Sequence, residues 1–332
     1  MESGGAKLNS EINTRAVLVT GGAGFIGSHL VEELLEQGVQ VRVLDNFATG
    51  KRPNLIGLGS GLWNAGKDFE LIEGDIRDPE TVRKAMAGME AVLHQAALGS
   101  VPRSVADPIT SHQVNVDGTL NVLLAARDSG VRRVVYASSS SVYGDSQRLP
   151  KREGEEGVPL SPYALTKQIN ERYGSLFLRL YELETVGLRY FNVYGPRQDP
   201  ESQYAAVIPR FISALLEGRA PVVYGTGEQS RDFTYVKDVV TANLSAMEAP
   251  ANSCGAAYNI GRGDKTSLLE LLQTLQDILG TNIGPRFEPP RPGDVMHSSA
   301  DVTLARKVLE FQAQHNLRSG LEQSIDWYRK NL

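Results

Sequence analysis

Tyr163 and Lys167 stand four residues apart in Ser161-Pro-Tyr-Ala-Leu-Thr-Lys167, a stretch that reads as the start of a helix. At that spacing both side chains lie on one helix face. A tyrosine hydroxyl, unperturbed near pH 10, acts as a base at neutral pH only where positive charge stabilises its phenolate by about 3 pK units, or ~4 kcal/mol. One ammonium about 5 Å away, at an effective dielectric near 20, supplies roughly 3 kcal/mol. A second cation must supply the rest. Taken alone, such a pair is commonly a half-buried tyrosine beside a solvated lysine, so the chemistry depends on what else the chain brings.

It brings a glycine turn. Arg15-Ala-Val-Leu-Val-Thr20 is a short β-branched run, followed by Gly21-Gly-Ala-Gly-Phe-Ile-Gly27 and an apolar helical pattern through Leu30, Leu34 and Leu35. In this strand–turn–helix order Gly21 permits a tight turn, Gly24 lets the backbone approach a pyrophosphate, and Gly27 lets the helix pack closely on its strand. The helix N-terminus then faces the phosphates. A second strand, Val39-Gln-Val-Arg-Val-Leu-Asp45, ends in an acid 18 residues after Gly27. A carboxylate there accepts from both adenosine ribose hydroxyls and repels a 2′-phosphate, which favours NAD over NADP. The oxidised nicotinamide is the second cation that Tyr163 requires.

The 332 residues carry 41% hydrophobic content, enough for a substantial core in one large domain or two lobes. Net charge is 34 minus 39, or −5, and no basic run is longer than Lys51-Arg52, so a nucleic-acid or anionic-membrane role has little electrostatic support. The single cysteine, Cys254, and the five histidines have no ligand spacing, so no metal site is expected. The polar stretch through Asn13 has no apolar signal core. These features predict a cytoplasmic protein with neither disulfides nor membrane spans.

Further strand-like runs fall at 69–73, 91–94, 133–136 and 186–190, with helical patterns at 79–87, 114–129 and 163–183 between them. The 48–68 stretch, rich in glycine, reads as a long mobile loop. Alternating helices and near-continuous apolar strands predict an α/β fold, a Rossmann-type doubly wound parallel sheet. Prolines become frequent beyond residue 192, and shorter helices follow around 207–216 and 267–279. The expected division is a flexible 1–14, an NAD-binding domain over 15–191 with a return near 233–262, and a smaller α/β substrate lobe over 192–232 and 263–332.

With Ser138-Ser-Ser-Ser-Val-Tyr-Gly144 added to the glycine turn and Tyr163-x-x-x-Lys167, the chain resembles the extended short-chain dehydrogenase/reductases acting on nucleotide sugars. It is most similar to bacterial UDP-N-acetylglucosamine 4-epimerases, through Leu98-Gly-Ser-Val-Pro-Arg-Ser104, Tyr190-Phe-Asn-Val-Tyr-Gly-Pro-Arg-Gln-Asp-Pro200 and Tyr204-Ala-Ala-Val-Ile-Pro209. The resemblance implies Tyr163 as base, Lys167 as its electrostatic partner and ribose anchor, and Ser139 as the hydroxyl bridging to the sugar, with Ser140 beside it. Ser138 stands where the family pattern has alanine, so a one-residue slip in the serine run stays open. The resemblance further nominates Phe25, Ile26, Asp45, Asn46, Thr49, Gly50, Asp75, Ile76, Gln95, Ala96, Asn115 and Phe191 for the cofactor. For the nucleotide sugar it nominates Arg231 and Arg291 as diphosphate clamps, Asp294 on the uridine ribose and Tyr224 near uracil. Asn192, Ala206 and Val207 would line the channel. A small residue at Ser298 would admit a C2 N-acetyl group, while Arg103 keeps a uronic acid open.

Related dehydratases and decarboxylases carry acids after the catalytic hydroxyl residue, where this chain has Ser140 and Ser141. Serine hydroxyls have no accessible pKa for acid–base work. Hydride chemistry alone remains, and the expected activity is C4 epimerisation of UDP-N-acetylhexosamines, possible also with UDP-glucose. A UDP-uronic acid epimerase and a non-catalytic NAD-binding protein are the alternatives. The resemblance also implies a homodimer through the helices at 114–129 and 163–183, and a place in polysaccharide synthesis.

Overall fold

The computed structural model describes residues 12–56, 68–201, 206–290 and 295–331. Seven parallel strands form the central sheet: β1 (Ala16–Thr20), β2 (Gln40–Asp45), β3 (Phe69–Glu73), β4 (Ala91–His94), β5 (Arg133–Ser139), β6 (Glu184–Tyr190) and β7 (Ala256–Ile260). Their spatial order is β7-β6-β5-β4-β1-β2-β3. Strands β1 and β4 are buried along their whole length, which accounts for their unbroken apolar sequence.

Helices cover both faces. On one, Leu30 and Leu34 of α1 (Phe25–Glu36) pack with Val17, Val19 and Val41. On the other, Val82 and Met86 of α2 (Pro79–Met86), Val122 and Ala126 of α3 (Gly118–Asp128), and Phe177 of α4 (Pro162–Tyr181) cover Leu18, Val92 and Val134. A separate apolar cluster joins α5 (Val207–Leu216), α7 (Leu268–Leu279) and α8 (Leu317–Asn331) through Phe211, Leu272, Leu275 and Ile325. Between these, α6 (Val236–Glu248) and β7 bring the chain back to the main sheet beside β6. None of the described helices is long and apolar enough to cross a membrane.

The strand order turns back between β1 and β4, so the loops leaving Thr20 and His94 diverge and leave a crevice at the strands' C-terminal ends. A buried hydrogen-bond chain ties those ends together. Thr119 donates to the Asn115 carbonyl at 2.7 Å, so its oxygen accepts from His94 Nε2 at 3.0 Å. His94 Nδ1 therefore accepts from the Thr20 hydroxyl at 2.6 Å. Burial lowers the His94 pKa to about 3, so the ring stays neutral and the arrangement is independent of pH in the ordinary range.

Three segments differ from expectation. β5 runs on through Ser138 and Ser139, which pair with Arg189 and Tyr190 of β6, so the serine run begins as strand. The helix expected over 114–129 starts with a π-turn at Gln113–Asp117, which places the Asn115 amide against both the N–H and the carbonyl of Leu98. Within the glycine-rich stretch Arg52–Leu55 form a 3₁₀ turn with Leu55 buried, while 57–67 lie outside the described residues.

Candidate active site

Helix α4 sets the centre of the site. Ser161 caps it, accepting from the Ala164 N–H at 3.1 Å, and Pro162 opens the first turn. The Tyr163 N–H, another of the first-turn donors, goes to Ser104 Oγ at 3.0 Å. Ser104 thus fixes the short helix Val101–Ala106 against the start of α4, a role that no sequence pattern signalled.

Tyr163 and Lys167 face the end of β5. Lys167 is buried, its Nζ donates to the Ala137 carbonyl at 2.7 Å, and it lies 5.9 Å from the centroid of the Tyr163 ring. Burial raises the Tyr163 pKa, and a hydrogen bond with Ser139 partly offsets that rise. Burial lowers the Lys167 pKa to about 8, with Glu171 pulling it back up. The tyrosine of the protein alone is therefore a phenol at neutral pH while the lysine is still largely an ammonium. A phenolate forms only when more positive charge enters the site, the condition set by the chemistry of the pair.

The four serines have separate environments. Ser138 Oγ turns away from the crevice and donates to Glu171 Oε1 at 2.5 Å. Ser139 accepts from the Ser141 N–H at 3.2 Å and lies against Tyr163. Ser140 opens a 3₁₀ turn, and the buried Ser141 Oγ has no hydrogen-bond partner among the described residues. Of the four, Ser139 is the one set beside the tyrosine hydroxyl.

The glycine turn has no spare room. A Cβ on Gly27 would lie 2.1 Å from the Gly21 carbonyl oxygen, and one on Gly21, whose φ is +68°, would lie 2.7 Å from the Ala96 nitrogen. Gly24 precedes α1 without any side-chain cap, and the first turn holds no acid, so the helix N-terminus is open to an anion. Asp45 Oδ2 accepts from the Ala23 N–H at 2.9 Å and Oδ1 from Phe47 at 2.8 Å. Burial raises the Asp45 pKa, with those two hydrogen bonds opposing the rise. Each oxygen keeps a lone pair for a ribose hydroxyl. Gly50 sits against Ala23 and Asp45, where a Cβ would approach Oδ1 to 3.0 Å. This close backbone cradle, its helix end and its acid fit a dinucleotide.

The other nominated cofactor residues surround the cradle in different ways. Phe25 and Ile26 are half-buried at the start of α1, and Thr49 is exposed. Asp75 accepts from Arg77 and from Asn46 Nδ2, at 2.8 Å for the latter, and the Arg77 hydrogen bond leads in holding its pKa down to about 2. Ile76 is buried against α3. Gln95 shares hydrogen bonds with Asn243 and Tyr190 beneath the crevice, while Ala96 follows at its floor. Phe191 is fully buried against Val142, Tyr143 and Ala300, so its side chain presents no surface to a ligand.

On the substrate side, Arg231 donates to the carbonyls of Ser230 and Met296, and the Ser298 N–H donates to the Ser230 carbonyl at 3.1 Å. Arg231 and the half-buried Ser298 are therefore neighbours across one short strand pairing. Asp232, which the sequence did not flag, binds that region together by accepting from the N–H groups of Arg262, Gly263 and Ala300. Tyr224 ends the short strand Val222–Tyr224, Asn192 sits at a φ of +28° just beyond β6, and Ala206 and Val207 begin α5. Arg103 is half-buried immediately before Ser104. Arg291 and Asp294 lie outside the described residues.

Comparison with known proteins matches residues 17–261 to a family described as the NAD dependent epimerase/dehydratase family. The UDP-glucose 4-epimerase of Mycolicibacterium smegmatis is 41% identical over 314 residues, covering 94% of this chain and 98% of that protein. A UDP-N-acetylglucosamine 4-epimerase from Methanobrevibacter ruminantium, solved with UDP-N-acetylmuramic acid, superposes with a TM-score of 0.90 at 38% identity, over 96% of this chain and 99% of that one. A UDP-glucuronic acid 4-epimerase variant from Bacillus cereus superposes with a TM-score of 0.87 at 31% identity, over 96% and 100%.

Proposed function

This chain belongs to the NAD dependent epimerase/dehydratase family, and from that membership we propose that it interconverts UDP-N-acetylglucosamine and UDP-N-acetylgalactosamine at C4. Its relatives support the broader activity, a UDP-sugar 4-epimerase using NAD. The observation that carries the reaction type is the Ser139–Tyr163–Lys167 group with only serines following Ser139.

Gly21, Gly24, Gly27 and Asp45 would hold NAD, which would supply the hydride acceptor and donor. Tyr163 takes the proton from the sugar O4 as the C4 hydride departs, leaving a 4-keto sugar. Ser139 bridges the hydroxyl of Tyr163 and the sugar oxygen, keeping the transfer within hydrogen-bond reach. Lys167 stabilises the phenolate and its burial strengthens that effect. With the keto sugar turned over about its diphosphate link, Tyr163 would give the proton back to O4 as C4 is reduced on its opposite face. Arg231 and Arg291 would grip the diphosphate while the sugar turns. No carboxylate adjoins Ser139 in sequence to remove a proton from C5, so elimination of water has no base there.

Ser298 supports the N-acetyl reading, since a small side chain beside Arg231 leaves room for a C2 substituent. Ser298→Tyr is expected to cut turnover of UDP-N-acetylglucosamine by ~10-fold or more while sparing UDP-glucose, as crowding one substituent costs about 1–3 kcal/mol. Equal losses on the two sugars, compared by kcat/KM, would place Ser298 elsewhere. The second reading, a UDP-uronic acid substrate, is favoured by Arg103, whose neighbour Ser104 touches the Tyr163 backbone. Proton NMR of the protein with UDP-N-acetylglucosamine and, separately, UDP-glucuronic acid decides between them by which H4 signal inverts.

A homodimer through α3 and α4 accompanies this reading. Leu165 and Leu180 on α4 are 47% and 61% exposed, and Val105 and Ile109 on the short helices packed against α4 are 63% and 70% exposed. Light scattering at micromolar concentration is expected to give twice the chain mass, and a monomer there would reject the assembly.

A further inference from the structure

We propose that Glu171 is a positioning residue for the reaction: it is the anion that keeps buried Lys167 charged, locked in place by Arg189 and by Ser138. The proposal rests on reading Tyr163 and Lys167 as the reacting pair.

The geometry begins with spacing. Tyr163, Lys167 and Glu171 are at i, i+4 and i+8 of α4, one face of one helix. The Glu171 carboxylate is fixed at both oxygens. Arg189 on β6 donates Nε to Oε1 at 2.9 Å and Nη2 to Oε2 at 2.8 Å, and Ser138 donates to Oε1 from β5. A bidentate guanidinium fork plus a hydroxyl leaves the carboxylate almost no rotational freedom. Arg189 is itself held by Glu156 at 2.5 Å and by the Tyr143 hydroxyl at 2.9 Å. Arg189 thus bridges two carboxylates, Glu171 and Glu156, behind the end of β5, with Lys167 one helical turn before Glu171.

Among the described residues, the surroundings of Lys167 offer no substitute for Glu171. His94 on β4 is neutral, and burial keeps the Tyr136 phenol on β5 protonated. Arg189 on β6 and Arg103 on the Val101–Ala106 helix are cations, and the phenols of Tyr143 and Tyr163 are neutral in the protein alone. Asp117 on the π-turn is exposed and faces His112 at 3.8 Å. Glu156 is bound to the far side of Arg189. Glu171 is therefore the anion that opposes the cost of burying the Lys167 ammonium, and the Arg189 fork fixes where its carboxylate stands. Ser138 adds a hydrogen bond from β5 to the same carboxylate.

The sign of the effect follows. Removing the Glu171 charge destabilises the ammonium form of Lys167, so its pKa falls, and the uncompensated Arg189 pushes the same way. Loss of the ammonium removes the field that stabilises the phenolate, so activity at the alkaline side fails at lower pH. Epimerisation itself consumes no proton, which makes the charge of Lys167 a visible limit on rate.

The test follows Lys167 directly in the full-length protein labelled with [6-¹³C]lysine, with the signal assigned by its disappearance in Lys167→Met. In the wild type the ¹³Cε shift is expected to titrate near pH 8. In Glu171→Gln, which keeps shape but removes charge, the midpoint is expected to fall by about one pH unit, the order given by a charge one helical turn away at an intermediate dielectric. The alkaline limb of the kcat profile should move down with it. Ser138→Ala, which keeps the charge and the Arg189 fork but removes one hydrogen bond of the lock, should lower the midpoint by less than Glu171→Gln does, and an equal or larger fall would overturn the charge argument. An unchanged midpoint in Glu171→Gln overturns the proposal. If that variant does not fold, Glu171→Asp replaces it: the carboxylate retreats by one methylene, a smaller fall in midpoint is expected, and no fall overturns the proposal. Should the titrations behave as stated in a protein that converts no UDP-sugar, the functional reading fails and the role of Glu171 as the charge partner of Lys167 stands.

Discussion

Tyr163→Phe is expected to lower kcat for C4 epimerisation by roughly 10³-fold, within the range that a positioned acid–base group contributes. The substitution deletes one oxygen and leaves the ring in place. The Tyr163 N–H still donates to Ser104, so the first turn of α4 and the helix before it keep their relation. Lys167 keeps its hydrogen bond to the Ala137 carbonyl. The loss should therefore fall on kcat, with KM for the nucleotide sugar, bound NAD and thermal midpoint nearly unchanged. Steady-state kinetics together with the absorbance of the bound cofactor check this. A variant retaining a tenth or more of wild-type turnover would assign the proton transfer to another group.

Gly27→Ala is expected to produce a chain that purifies without NAD. The added methyl would stand 2.1 Å from the Gly21 carbonyl oxygen and 2.8 Å from the Gly22 Cα. Both are backbone atoms, so no side-chain rotation relieves the overlap. Gly21 cannot retreat either, because it is packed against Ala96 at the end of β4. The turn must open, carrying the N-terminus of α1 away from the pyrophosphate, and affinity is expected to weaken by at least ~100-fold given the directional nature of phosphate binding there. Gly38→Ala is the matched control. Gly38 also has a left-handed φ, +75°, yet nothing lies near its missing Cβ, so that variant should lose only ~1–2 kcal/mol of stability and keep NAD. Calorimetric titration of NAD into both proteins, with urea unfolding of each, separates loss of the cradle from loss of the fold. Full NAD affinity in Gly27→Ala would contradict the packing that gives the site its shape.

Much of this was legible from local pattern. The glycine turn, the strand that ends in Asp45 and the Tyr163–Lys167 spacing each express a single backbone periodicity, and six strands of the sheet fall on the runs that predict them, with β7 at its edge anticipated only as a return of the chain. What was not legible depended on contacts between distant segments. Whether Ser138 or Ser139 meets the tyrosine is decided by the register of β5 on β6, which extends the strand two residues beyond its apolar core. Nothing local to Glu171 marks it, since its partners come from β5 and β6. Asp232 resembles any acid after an arginine until three N–H groups from residues 262, 263 and 300 converge on it. The π-turn at Gln113–Asp117 was hidden because its sequence keeps a helical apolar period while its hydrogen bonds shift by one residue. Phe191 shows the converse: its motif points to the cofactor, and packing has placed its ring in the core.

The central claim, that C4 hydride leaves and returns within one site without net oxidation, is tested most directly with UDP-N-acetylglucosamine deuterated at C4. The purified protein, given no added NAD, is expected to form UDP-N-acetylgalactosamine that retains the deuterium at C4, followed by NMR in ordinary water. Product carrying hydrogen at C4 would mean that the atom left as a proton exchanging with solvent, and would contradict the mechanism built on Tyr163, Lys167 and NAD.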